Sequence, residues 1–246
     1  HTWLPDAHTQ APTGGSMILA GVLLKLGAYG FIRLVIPLFP DQALTTAGIL
    51  AILGMLSIVL GAYAAFGQWD FKRLVAYSSV NHMGFVVLGI AVMAYAYGMP
   101  GDVEGLNYSA IIATNGAVLQ MFNHGVTAAG MFFLVGVIYS RTHTRDLKKY
   151  GGIWTVMPVY GMILLFTSMA SLGLPGLNGF VGEFLVVRGA WPVFTVQLAL
   201  SMLGLLMAGA YILKQIGETL HGPLKPEWAG LPRMTLREHL VIWPLM

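Results

Sequence analysis

Four titratable side chains lie inside long apolar runs of this sequence, and they are its candidates for chemistry. Lys25 is the twelfth of 26 residues in its run, His82 the ninth of 25, and His124 the seventeenth of 32. Glu183 lies four residues after Gly179, which ends a cluster of helix breakers. If these runs cross a membrane, each such group costs about 2.5 to 3.5 kcal/mol on insertion scales. Each is therefore a candidate functional residue.

A packing role stays open for two of the four. A lone histidine in a membrane helix is explained equally well by a hydrogen bond to a neighbouring helix and by a functional role. The roles of His82 and His124 therefore stay open. A lysine near the centre of a span cannot easily reach the headgroups, which favours function for Lys25. Glu183, just inside a half-helix after a break, resembles the arrangement by which transporters bring carboxylates to a permeating ion. Anchoring at the membrane surface explains the charges at the span ends: Arg33, Lys72, Arg73, Arg188 and Lys214.

Three of the candidates have polar or small companions at helical spacing, which places each set on one helix face. The companions are Ser78 and Ser79 for His82, Gln120 and Thr127 for His124, and Gly21 and Tyr29 for Lys25. His82 and His124 have no HExxH or other ligand-spaced partner, and no glycine-rich nucleotide loop is present. We therefore predict no bound metal and no cofactor in this chain.

The composition requires that membrane helices position these residues. Of 246 residues, 57% are hydrophobic and 9% are charged, whereas a soluble domain carries about a quarter of charged residues. Mean hydropathy is +0.73. Because cysteine is absent, disulfides, iron–sulfur clusters, thiolate zinc sites and cysteine nucleophiles are excluded from this chain. The net charge of +3 in so apolar a chain indicates membrane topology and no nucleic-acid partner.

The runs predict an all-α polytopic membrane protein in one domain over 1–246. About 20 apolar residues cross the hydrocarbon core, and five runs qualify: 14–39, 44–68, 74–98, 108–139 and 193–216. A sixth run, 154–190, would form a straight helix of about 55 Å, nearly twice the core thickness. Its middle, 172–179, is rich in glycine and contains Pro175, so we predict a helix broken there. A further helix is predicted to start from 238.

The distribution of Lys and Arg favours a single, broken crossing of the run 154–190. With one crossing, ten basic residues lie near loops on one side and two near loops on the other; with two crossings the division is seven to five. The positive-inside rule favours the uneven division. It places the loops 1–12 and 217–237 in the cytoplasm, and we expect a bacterial plasma membrane.

Several motifs, in order along nearly the whole chain, resemble the antiporter-like membrane subunits of respiratory complex I, most closely the subunit M branch. They are HTWLPDAH from His1, LLKLGAYG around Lys25, DFKRLVAYSS from Asp70, His82-Met83-Gly84, His124-Gly125, HTRD from His143, and Leu174-Pro175-Gly176 through Gly179-Phe180-Val181-Gly182-Glu183-Phe184. The resemblance implies a fragment: the second half of a fourteen-helix subunit with inverted five-helix repeats. In that register the runs are helices 8 to 13 and the start of 14, and the broken run is helix 12. The family's glutamate and lysine of helices 5 and 7 would lie upstream of His1.

The resemblance also implies a function, proton translocation coupled to electron transfer in other subunits of NADH:quinone oxidoreductase. Lys25 would be the central proton site, because burial destabilises its charged form. His82 and His124 would relay protons, since imidazole accepts on one nitrogen and donates from the other. Glu183 would be the terminal carboxylate. NADH, FMN, iron–sulfur clusters and quinone are expected in other subunits. The expected partners are neighbouring membrane-arm subunits, including antiporter-like ones, and the lipid bilayer.

Two other functions stay open at this point. A multisubunit sodium/proton antiporter or a membrane-bound hydrogenase has subunits of the same fold. A passive structural subunit is a third possibility. The ionisable Lys25 and Glu183 argue against it, because apolar side chains hold helices together at lower cost.

Overall fold

The structure, a computed structural model, describes residues 2–101 and 104–246, and nearly all of this part of the chain is helical. Within the described residues the only β pairing is an isolated bridge between Asp70 and Asp146. The helices are α1 Leu4–Gln10, α2 Thr13–Leu38, α3 Pro40–Gly67, α4 Phe71–Gly98, α5 Glu104–Thr142, α6 Ile153–Val156, α7 Pro158–Leu172, α8 Asn178–Ala190, α9 Thr195–Leu220 and α10 Leu236–Ile242. Short 3-10 turns cover Leu147–Lys149, Pro226–Trp228 and Trp243–Leu245.

Five helices are long and apolar enough to cross a membrane: α2, α3, α4, α5 and α9. They fall on the five apolar runs of the sequence. The sixth run is divided into α6, α7 and α8, and the chain between α7 and α8 turns through Gly173 and Gly176, whose φ angles are +77° and +100°. Glycine adopts such angles without steric cost. The predicted all-α membrane fold with one broken helix is confirmed.

The structure departs from the sequence-based picture at the two predicted loops and in α2. Within the stretch predicted as loop 1–12, Leu4–Gln10 is helical; Pro5 lies in its first turn, where a missing N–H costs nothing. The predicted loop 217–237 begins later, because α9 continues to Leu220. His1 lies outside the described residues. In α2, two segments are π-helical, Leu19–Leu23 and Phe31–Val35; apolar periodicity carries no signal for them.

Glycines let the central helices pack backbone to backbone. A Cβ atom added to Gly116 of α5 would lie 2.6 Å from the Val186 nitrogen of α8, and one added to Gly189 of α8 would lie 2.5 Å from the Ala113 nitrogen. A Cβ on Gly84 of α4 would lie 2.9 Å from the Gly54 carbonyl oxygen of α3. Small residues at such contacts are typical of membrane helices. They bring α4, α5 and α8 close enough for their polar side chains to meet.

Helix α2 lies at the edge of this bundle. Only 11% of its most apolar window is buried, compared with 67% for α4 and 72% for α5. It approaches α5 where Gly21 faces Gly125: a Cβ on Gly125 would lie 3.0 Å from the Gly21 carbonyl oxygen. This close approach positions the side chain of Lys25, one turn further along α2.

Candidate functional site

The most enclosed part of the site joins α4, α5 and α8 through one carboxylate. Glu183 on α8 and His82 on α4 are only 5% and 4% exposed. His82 Nδ1 lies 2.8 Å from Glu183 Oε1, and Gln120 Nε2 of α5 donates to the same oxygen at 2.9 Å. The ionisable groups that a membrane interior disfavours are thus paired with one another and with an amide.

The break between α7 and α8 fixes the position of this carboxylate. Gly173, at the end of α7, is so close to Glu183 that an added Cβ would lie 3.2 Å from Oε2. Asn123 of α5 donates to the carbonyl of Asn178 at 2.6 Å, which ties the first turn of α8 to α5. The carboxylate therefore lies at the point where the helical backbone is interrupted.

At the other end of the site, Lys25 reaches from α2 to α5. Its Nζ lies 2.6 Å from Nδ1 of His124 and also donates to the carbonyl of Ala20, in the first π-helical turn. Turns of this kind occur frequently at functional sites. His124 is only 3% exposed, whereas Lys25 is partly buried.

The two histidines connect these two ends. The ring centres of His82 and His124 are 5.9 Å apart, and the ring planes are tilted by 45°. The structure thus brings all four predicted residues together in the order Lys25, His124, His82, Glu183. We call them the ionisable row. Every member can bind and release a proton, so the arrangement suits the exchange of protons across the interior of the bundle.

Two members of the site were not predicted. The hydroxyl of Tyr211, on α9, lies 3.1 Å from Nε2 of His82, and Asn81 Nδ2 donates to this hydroxyl at 3.3 Å. Asn81 offered a signal, since it is an amide inside an apolar run and next to a candidate residue. Tyr211 offered none, because a tyrosine within an apolar run is ordinary.

The companions predicted from helical spacing have mixed roles. Gln120 lies in the site, although it bonds Glu183 rather than His124. Gly21 forms the close contact with α5, while Tyr29 is 55% exposed. The remaining three side chains bond carbonyls of their own helices; they are Ser78 and Ser79, which bond Val75, and Thr127, which bonds Asn123. Spacing correctly indicates a shared face but does not reveal which groups pair.

His8, on α1, is a further buried histidine close to the row. Its ring stacks on Phe132 with 4.4 Å between ring centres, and neither ring nitrogen has a hydrogen-bond partner among the described residues. Burial lowers the pKa of His8 to about 4, and the charges of Lys72 and Lys25 act in the same direction. His8 is therefore neutral at physiological pH.

The charged residues at span ends differ in their surroundings: Lys72 is only 7% exposed and donates to the carbonyl of Ala11, whereas Lys214 and Arg188 lie nearer the ends of the bundle. Lys214 Nζ donates to the carbonyl of Phe66 at 2.7 Å and lies 3.7 Å from the ring centre of Trp69. Arg188 donates to the Tyr108 hydroxyl at 3.3 Å. Within the described part of the chain, no three His, Asp or Glu side chains are grouped as metal ligands would be.

The fold and the row together define an all-helical, multi-pass membrane protein of the antiporter-like type. Residues 1–102 and 103–210 match the family described as NADH:quinone oxidoreductase/Mrp antiporter, transmembrane. The chain belongs to this family.

Curated relatives support the assignment. The chain is 48% identical over 224 residues to NADH-quinone oxidoreductase subunit M of Pseudomonas aeruginosa, which covers 91% of this chain and 41% of the relative. It is 43% identical over 244 residues to subunit M of Escherichia coli K12, covering 98% of this chain and 45% of the relative. The chain thus spans less than half the length of these relatives.

Solved structures share the fold. Respiratory complex I from Thermus thermophilus with bound NADH contains a chain that matches 100% of this one over 48% of its own length, with a TM-score of 0.86 and 31% identity. The Mrp complex from Dietzia sp. matches 92% of this chain and 39% of its own, with a TM-score of 0.80 and 18% identity. The second similarity shows the fold alone.

Proposed function

We propose that this chain carries protons within a membrane subunit of NADH:quinone oxidoreductase. The observation that supports this proposal is the ionisable row: four titratable side chains from four helices, in contact or near contact, where apolar side chains would pack at lower cost. The curated relatives named NADH-quinone oxidoreductase subunit M suggest the complex in which it works.

The hydrogen bonds suggest a sequence of proton transfers. Lys25 and His124 share one proton across their 2.6 Å contact. His124 passes a proton towards His82, whose ring centre is 5.9 Å from its own. His82 gives a proton from Nδ1 to Glu183 Oε1 over 2.8 Å. Each proton moved against 100 mV requires about 2.3 kcal/mol, so electron transfer elsewhere in the complex must drive the row.

Cofactors, partners and location complete the proposal. NADH, FMN, iron–sulfur clusters and quinone are held by other subunits, and neighbouring antiporter-like subunits contact this one. The membrane is a bacterial plasma membrane. The segments 1–12 and 217–237 lie on the cytoplasmic side.

The decisive experiment replaces Lys25 in the full-length protein within its assembled complex. We expect Lys25→Ala to lower quinone-coupled proton uptake in inverted vesicles by more than about tenfold, as loss of a proton-transfer group does. Lys225→Ala is the matched control, because Lys225 only caps the carbonyl of Lys148 near the surface. Wild-type uptake with Lys25→Ala, in a complex that a native gel shows to be assembled, would refute the proposal.

A sodium/proton antiporter subunit is the second candidate, since the family description names both complexes. The energy source that drives proton uptake distinguishes the two candidate functions. Uptake that NADH drives and that does not change when potassium replaces sodium supports the oxidoreductase; uptake that a sodium gradient drives without NADH supports the antiporter.

A further inference from the structure

The phenol of Tyr211 contacts the ring nitrogen of His82 that does not face Glu183. Tyr211 is 1% exposed, and its oxygen lies 3.1 Å from Nε2 of His82. Asn81, 0% exposed, donates its amide N–H to the same oxygen at 3.3 Å. The hydroxyl thus has two hydrogen-bonding neighbours, His82 Nε2 and the Asn81 amide, and the Asn81 amide is a donor.

This arrangement favours one placement of the hydrogens. A phenol carries one hydrogen, and because Asn81 donates to its oxygen, the hydrogen of Tyr211 is directed to Nε2 of His82. Nε2 must then be the acceptor nitrogen of a neutral ring, and Nδ1 carries the N–H that donates to Glu183. Glu183 Oε1 accepts this N–H together with that of Gln120.

The opposite tautomer satisfies fewer groups. An N–H on Nε2 would donate to the Tyr211 oxygen, which would then accept twice while its own hydrogen lacked an acceptor. Nδ1 would also present a lone pair to Glu183. A buried donor without a partner costs about 1 to 3 kcal/mol. Tyr211 and Asn81 therefore favour one of the two neutral forms of His82.

We propose that Tyr211, held by Asn81, is a positioning residue that sets neutral His82 in the form with its proton on Nδ1, facing Glu183 Oε1. The inference rests on the proposed function. A proton that reaches the ring binds Nε2 as the Tyr211 hydroxyl turns away, and Nδ1 then releases its proton to Glu183. The ring is left neutral with its proton on Nε2.

The test compares two buried tyrosines in the full-length protein within its complex. Tyr211→Phe removes the hydroxyl at His82. Tyr160→Phe is the control, because Tyr160 is also fully buried but donates to the carbonyl of Leu134, outside the ionisable row. We expect NADH-driven proton uptake to fall about fivefold more in Tyr211→Phe, the size expected of one hydrogen bond. The pH profile of uptake should change in Tyr211→Phe and coincide with wild type in Tyr160→Phe.

Asn81→Leu is a second variant, in which the same NADH-driven uptake and the same pH profile are measured. It leaves the phenol in place but frees it to turn, so we expect a smaller loss and a pH profile altered in the same sense. If Tyr211→Phe fails to assemble on a native gel, Asn81→Leu alone decides. Equal uptake and equal pH profiles in the Tyr211→Phe and Tyr160→Phe complexes, or a wild-type profile for an assembled Asn81→Leu, would overturn the inference. If the Tyr211 inference fails in this way while Lys25→Ala is inactive in the same assays, the proposed proton translocation is still supported. Wild-type uptake in Lys25→Ala would refute the translocation itself.

Discussion

The two ends of the ionisable row are built differently. At the inner end, His82 and Glu183 lie among α4, α5, α8 and α9, and side chains of this chain bond both ring nitrogens of His82 and one carboxylate oxygen. At the outer end, Lys25 lies on α2, a helix that contacts the bundle along one side only. Its opposite side exposes large apolar residues, among them Leu26, Leu34 and Leu38.

Because of this difference, substitutions at the two ends should lower proton transfer for different reasons. The inner end is held by hydrogen bonds among α4, α5, α8 and α9, so substitutions there should act through the loss of a particular proton or hydrogen bond. The outer end depends on how closely α2 approaches α5. Substitutions that move this helix should therefore change transfer even when every ionisable group is retained.

The largest expected effect is at the inner end, with Glu183. Glutamine keeps the size and the acceptor oxygen but cannot take up a proton, whereas aspartate keeps the chemistry with one methylene less. We expect Glu183→Gln to lower NADH-driven proton uptake by at least about tenfold and Glu183→Asp to keep most of it.

A role in packing alone predicts the reverse order or no difference between the two Glu183 variants. Assembly of both complexes is checked by native gel before the rates are compared. Full uptake with glutamine would remove Glu183 from the pathway.

The next prediction concerns the outer end. A Cβ on Gly125 would lie 3.0 Å from the Gly21 carbonyl oxygen. Because little of α2 is buried, we expect this helix to move away from α5, which lengthens the Lys25–His124 contact. Gly125→Ala should therefore lower coupled uptake about fivefold, the cost of one weakened hydrogen bond. In Gly130→Ala, the control on the same helix, the added atom meets nothing closer than 3.4 Å. Equal uptake in both variants would show that the outer end tolerates displacement.

A smaller effect is expected at the break. Gly173 and Gly176 both have positive φ, so alanine costs about 1 to 2 kcal/mol at either position. Only at Gly173 would the new Cβ approach Glu183 Oε2, at 3.2 Å, whereas Gly176 faces open space. We expect Gly173→Ala to lower coupled uptake a few-fold more than Gly176→Ala. If coupled uptake falls as much in the Gly176→Ala complex as in the Gly173→Ala complex, then the conformation of the turn, and not its contact with the carboxylate, limits proton transfer.

The smallest effect is expected far from the row, where Arg141 of α5 holds Glu238 of α10 through two hydrogen bonds of 2.7 Å. The hydrogen bonds from Arg141 lower the pKa of Glu238 to about 2, from an ordinary 4.5. A depressed carboxyl pKa stabilises the fold above the ordinary value, and this contribution is lost as pH falls through about 2. Glu238→Gln should slightly lower the thermal stability of the complex by the same amount anywhere between about pH 6 and 8. Its ratio of protons to electrons should equal that of wild type; a lower ratio would place this anchor in the pathway.

Several features of the fold could be read from the sequence because they depend on local composition. The apolar runs gave the five long helices, since run length and helix rise decide what crosses a membrane. The cluster around Pro175 and Gly176 indicated the break, because such residues disfavour a continuous helix. Lys25, His82, His124 and Glu183 were identified because a charge or imidazole inside an apolar run is costly.

Other features depend on how helices meet, and the sequence pattern is silent about them. The placement of Gln120 on Glu183 arises from the contact between α5 and α8. Tyr211 is separated from His82 by 129 residues, and its role exists only because α9 packs against α4. The sequence by itself determined which residues a membrane interior would not accept without a function, since that cost is local to each residue. Only the tertiary structure decided which of them share a proton, because a hydrogen bond requires two groups within about 3 Å, and helix packing alone sets that distance.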